Sequence, residues 1–208
     1  MTEQEWQTSN APDALLLHLT AAASDRKLRL FACACCRRIW ELLPEGPSRR
    51  AVEASERFAD GEIGADELQR SWLAARRRVA SDEARLGGWK RLTAAEMEAR
   101  DAARSGAWSA AHSVVADTNH EERQAQCDLL RDIFHPFHVI KPLLAWLTPE
   151  VNELAQEMYR ERTFERMPAL ADALTKAGCH DPAVLAHCRG PGPHVRGCWV
   201  IDLLTGRK

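Results

Sequence analysis

The chain has 208 residues, 45% of them hydrophobic and 28% charged, with a formal net charge of -2. That mix belongs to one good-sized globular domain or two small ones and excludes a disordered polymer, a collagen-like repeat and a membrane protein. The near-neutral total also removes bulk attraction to nucleic acid or to an anionic membrane as a leading idea.

The periodicity is helical almost throughout, taken here in chain order. Pro12 and Asp13 open a short apolar helix over residues 14–23, and Ser24 with Asp25 offers cap chemistry for a second over 26–43. Pro44, Gly46 and Pro47 stop that helix, which is apolar over much of its circumference and so belongs in the middle of a bundle. Pro47 and Ser48 start a third, to about Asp60, and Asp66 a fourth, to about Ala80, whose extension Gly87 and Gly88 end. Thr93 with Glu96 reads as a capping box for an Ala-rich helix toward Ala116. Asn119 with Glu122 is a second box, opening a helix through Cys127, Leu130 and Phe134. His135, Pro136, Phe137 and His138 then make a turning connection, with the two histidines orienting it.

Thr148 followed by Pro149 is an N-cap with Pro at the first helical position. Further helices are expected over 168–177, with Gly178 as C-cap, and from Asp181 and Pro182 to Cys188. A rigid Pro/Gly-rich loop, residues 189–194, precedes an apolar segment over 198–204 that reads as a last buried helix or a lone strand. No alternating pair of runs suggests a sheet. The expected fold is therefore all-α, an irregular multi-helix bundle with a Pro/Gly-rich loop before a short C-terminal helix. It forms one domain over residues 1–208, with a seam near Asp117 dividing 1–117 from 118–208.

Two counts remain: seven Cys, and 23 Arg against 5 Lys. An odd number of Cys leaves at least one thiol outside any internal disulfide. The N-terminal stretch has acidic residues ahead of a short apolar run, unlike a secretory signal. The expectation is a cytoplasmic protein without a membrane partner, whose thiols are reduced, buried or metal-bound. The Arg excess reads as genome composition.

The last thirty residues concentrate the chemistry: Cys179, His180, His187, Cys188, His194 and Cys198. Thiolates and imidazoles are zinc ligands, and four of them close a tetrahedral site. Zinc is thus the one cofactor the sequence suggests, since the Pro/Gly loop would fold the chain back on itself. The plainer reading makes these Cys small buried hydrophobes and lets the histidines bond loop carbonyls. Cys33, Cys35 and Cys36 lie mid-helix among apolar residues and read as packing.

Between Ser24 and Arg50 there are seven basic and three acidic residues. Arg37, Arg38, Arg49 and Arg50 are candidate nucleic-acid or anion contacts, with Arg189 and Arg196 on the C-terminal loop. A solvated, salt-bridged helical face is the plainer account.

The blocks SDRKLRLFACACCRRIW (residues 24–40) and HCRGPGPHVRGCWVID (residues 187–202) resemble an uncharacterised, multi-copy family of bacterial proteins. In that family the two blocks bracket a helical, Ala-rich middle. The resemblance implies one architectural unit with paired ends and carries no activity with it. The leading functional expectation is a non-enzymatic helical interaction or scaffold module with a protein partner. The alternatives are a zinc-binding protein using the C-terminal Cys/His cluster and a nucleic-acid-binding protein using the Arg-rich face.

Overall fold

Local capping chemistry sets many of the helix starts in the computed structural model, which describes residues 1–19, 23–43, 45–85, 120–137 and 144–207. Ten α-helices and no strand occur among these residues, so the fold is all-α. They are α1 (Glu3–Thr8), α2 (Pro12–His18), α3 (Asp25–Arg38), α4 (Pro47–Ala59), α5 (Ala65–Arg85), α6 (His120–Ile133), α7 (Pro149–Glu161), α8 (Met167–Lys176), α9 (Pro182–Arg189) and α10 (Trp199–Thr205).

The Thr148 hydroxyl accepts the Val151 amide at 3.3 Å to start α7, and the Asp181 carboxylate accepts those of Ala183 and Val184 at 2.9 and 3.1 Å to start α9. Helix α1 has a full capping box. Thr2 accepts from the Glu5 amide at 3.2 Å, and the Glu5 carboxylate accepts from the Thr2 amide at 2.7 Å. The last apolar segment is helical rather than extended. The Cys198 carbonyl accepts the Asp202 amide at 2.9 Å, and Gly206 closes the helix at φ 71°.

The second sequence-expected helix ends earlier than its apolar pattern suggests. Helix α3 stops at Arg38, and Trp40–Leu42 form a separate 3-10 turn. The Arg49 guanidinium binds the Trp40 and Leu43 carbonyls at 3.2 and 2.9 Å, taking acceptors that a continued helix would have used. The Thr93 capping box with its Ala-rich helix, the expected seam at Asp117, Pro44 and His138 lie outside the described residues.

The chain divides into two compact units, Asn10–Gln126 and Met1–Ser9 with Cys127–Lys208. In the first, α3 packs on α4 and α4 on α5. Leu28, Leu30, Phe31, Cys33, Cys35 and Cys36 are all buried along α3, which accounts for its nearly all-round apolar surface. In the second, α7 packs against α8 and α10, and α8 against α9. Val151, Met158, Leu170, Leu174, Val184 and Ile201 form its water-free centre. Burial of each such side chain stabilises by about 1.5–3 kcal/mol. No helix among the described residues is long and apolar enough to cross a membrane.

Candidate metal centre

Four polar side chains converge at one side of the second unit. Asp132 comes from the last turn of α6, where Leu129, Leu130, Ile133 and Phe134 bury the helix around it. His187 comes from the last turn of α9, and Cys198 is the N-cap of α10. His194 is delivered by the Pro/Gly turn between those helices. Gly192 lies over it at φ 82°, and a Cβ there would come within 3.1 Å of the His194 backbone nitrogen and 3.5 Å of its ring. Only glycine permits both that backbone conformation and that approach.

The Asp132 carboxylate organises the group and is 2% exposed. Its Oδ1 lies 2.8 Å from His194 Nδ1 and 3.1 Å from His187 Nε2, while Oδ2 accepts the Val195 amide at 2.9 Å. His187 Nε2 is also 3.2 Å from Cys198 Sγ, and His187 Nδ1 accepts the Trp199 indole N–H at 3.1 Å. The Trp199 ring stacks on His135 with centroids 4.4 Å apart, which fixes the indole from its other side. The His194 side chain is 9% exposed, and its Nε2 is buried with no hydrogen-bond partner.

Burial works to raise the Asp132 pKa, but hydrogen bonds and charge from His187 and His194 outweigh it and hold the carboxyl below its ordinary range. Burial, then the Asp132 charge, pushes the Cys198 thiol well up, against backbone amides of Ile201 and Val200 that favour the thiolate. Cys188 is pushed to about 12 by burial, with Cys179 and Asp132 adding to it.

One donor atom from each of Asp132, His187, His194 and Cys198 lies within 4.8 Å of the others. This buried group can hold a metal ion. Zinc bonded to nitrogen at 2.0–2.1 Å and sulfur at 2.3 Å sets ligand-to-ligand edges of about 3.3–3.6 Å in a tetrahedron. The three contacts of 2.8–3.2 Å would open by a few tenths of an ångström, and the other edges, which reach 4.8 Å at most, would close toward the tetrahedral value.

Of the six Cys and His residues singled out by sequence, the structure brings together His187, His194 and Cys198. Cys179 and Cys188 are buried among the apolar residues of the second unit, outside the four-residue group, and His180 is exposed. Asp132 was missed because a lone acidic residue far upstream carries no spacing signal. The one available hint was a carboxylate set among apolar positions of a helix.

The arginines are placed as follows. Arg37 pairs with Glu56 through contacts of 3.1 and 2.7 Å, and its guanidinium sits 3.8 Å from the centroid of the Trp40 ring. Arg38 pairs with Glu122 at 3.2 Å, and Arg49 holds the two carbonyls already described. Arg50 is exposed. Arg189 reaches Thr175 at 3.4 Å and Asp172 at 3.5 Å, and Arg196 lies 4.8 Å from the Tyr159 ring centroid. Compared with protein-family models, curated proteins and solved structures, the chain gives no match in any of the three.

Proposed function

We propose that this protein is a helical module whose C-terminal unit is braced by a divalent metal ion, zinc by preference, held at Asp132, His187, His194 and Cys198. The observation that carries the reading is the convergence of four donor atoms from three helices and a turn. The donor set supports zinc, because thiolate and imidazole are ligands of the borderline-soft ions and not of magnesium or calcium. Charge supports it as well. A carboxylate and a thiolate balance a divalent cation, so the bound ion leaves no net charge in a site that is almost closed to water. The ion would join the ends of α6 and α9 to the start of α10, which makes it a cross-link in the manner of structural zinc.

Metal analysis of protein prepared without an affinity tag tests this. One zinc per chain is expected, and Cys198→Ala and His194→Ala should each lose it together with the thermal stabilisation that added zinc gives. Absence of any stoichiometric transition metal, with a melting temperature indifferent to zinc, would sink the reading.

A further inference from the structure

We propose that the cleft between α4 and α5 binds the phosphate group of a small phosphorylated molecule through Arg50, Arg70 and Ser71. The site belongs to the first unit and is independent of the metal reading, which concerns the second.

Two local patterns make the cleft. On α5, Glu67, Arg70, Ser71 and Ala74 recur at three- and four-residue spacing and so share one side of the helix. Across from them stand Pro47 and Arg50, in the first turn of α4. Together these six residues line a cavity of about 220 Å³. That is several times the volume of one water molecule, and the short side chains of Ser71 and Ala74 leave the room.

Charge selects the occupant. Elsewhere in this unit arginines are engaged by carboxylates: Arg26 by Asp60 at 3.2 Å, Arg37 by Glu56 at 2.7 Å and Arg38 by Glu122 at 3.2 Å. Arg50 and Arg70 have no such partner among the described residues, and neither has the Ser71 hydroxyl. The first turn of α4 contains no acidic residue. Glu67 is the one carboxylate in the lining, and Arg57 holds it at 3.1 Å. Two guanidinium forks and a hydroxyl therefore line the cavity with positive charge in excess. A tetrahedral oxyanion suits this donor set, because each fork can give two parallel N–H bonds to phosphate oxygens. The donors ring one cavity rather than follow a strip, which fits a single phosphate group and not the repeated phosphates of a nucleic-acid strand.

Calorimetric titration with phenyl phosphate at about 0.1 M salt tests the proposal. One saturable site per chain is expected, with inorganic phosphate competing for it and benzoate not. Arg50→Ala and Arg70→Ala should each weaken binding about tenfold or more. Arg160→Ala removes the same charge from outside the lining and should leave binding within about twofold. Ala74→Leu changes no charge but fills the cavity, so it should weaken phenyl phosphate about as much as the arginine variants. All four side chains are exposed, so melting temperatures should match the wild type and confirm that each variant is folded. No saturable binding would overturn the proposal, as would equal losses in Arg70→Ala and Arg160→Ala, or an Ala74→Leu variant that binds like the wild type. A single-stranded oligonucleotide that binds more tightly than phenyl phosphate, and loses affinity in Arg77→Ala further along α5, would overturn it in favour of a nucleic-acid strand.

Discussion

Cys33 lies mid-helix on α3, 1% exposed, with its S–H directed at the Val52 carbonyl 3.8 Å away. Burial, then the charge of Glu56, raises its pKa from 9.0 to about 12, against a hydrogen bond from Ser55 and the charges of Arg29 and Arg37. The sign of its effect on stability follows from which state keeps the proton. Above pH 9 the unfolded chain releases it and the folded chain does not, so this group's contribution is intact below pH 9 and is lost as pH rises toward 12. Urea unfolding between pH 8 and 11 should show the wild type losing up to about 1.4 kcal/mol per pH unit more than Cys33→Ala. Equal slopes for the two proteins would contradict the assignment. Cys198 has the same side chain and a different position: it stands at the N-cap position of α10, where the backbone amides of Ile201 and Val200 favour the thiolate, and two imidazoles and a carboxylate surround it. Position, not residue type, separates a packing thiol from a candidate ligand.

At the scale of elements, the α3–α4 pair is joined by the two contacts between Arg37 and Glu56, and the same guanidinium stacks on Trp40 in the turn that follows α3. The Glu56 side chain is 3% exposed and that of Arg37 27%. Arg37→Ala should destabilise the first unit by about 1–3 kcal/mol, below the range for a fully buried pair because one partner reaches water. Arg37→Lys should cost nearly as much, since an ammonium reproduces neither the fork nor the stack. Denaturant midpoints for the two variants check both statements, and a Lys variant as stable as wild type would refute the second. Elements such as α7 and α9 were legible in the sequence because Thr148, Pro149, Asp181 and Pro182 act within one turn. Helix α1 was not read from the sequence, because its six residues carry too little apolar periodicity to draw attention to the Thr2 and Glu5 capping box. The end of α3 was not legible. It depends on Arg49 reaching back from α4 to two carbonyls, and no local pattern encodes that reach.

Over the whole molecule, the candidate site divides along the same line between local and distant causes. His187, His194 and Cys198 fall within one short stretch, so their spacing suggested a shared ligand set. Asp132 joins them only because α6 packs its last turn against the loop that carries Val195 and His194. Cys179 and Cys188 have the same spacing appeal, but the α8–α9 packing turns them into the core. The division into two units supplies a final prediction. A ligand that binds only the native state stabilises what unfolds together with its site, by RT ln(1 + [L]/Kd), or about 2.7 kcal/mol at a hundredfold excess over Kd. Cys179, Cys188 and Cys198 report on the second unit, and Cys33, Cys35 and Cys36 on the first. Alkylation in mild urea, read residue by residue by mass spectrometry, should show zinc slowing the first trio about a hundredfold at that excess and leaving the second trio unchanged. Chelator should reverse the protection. Equal protection of both trios would mean that the units unfold as one and that the ion braces the entire chain; no protection of either would remove the ion from the account of the fold.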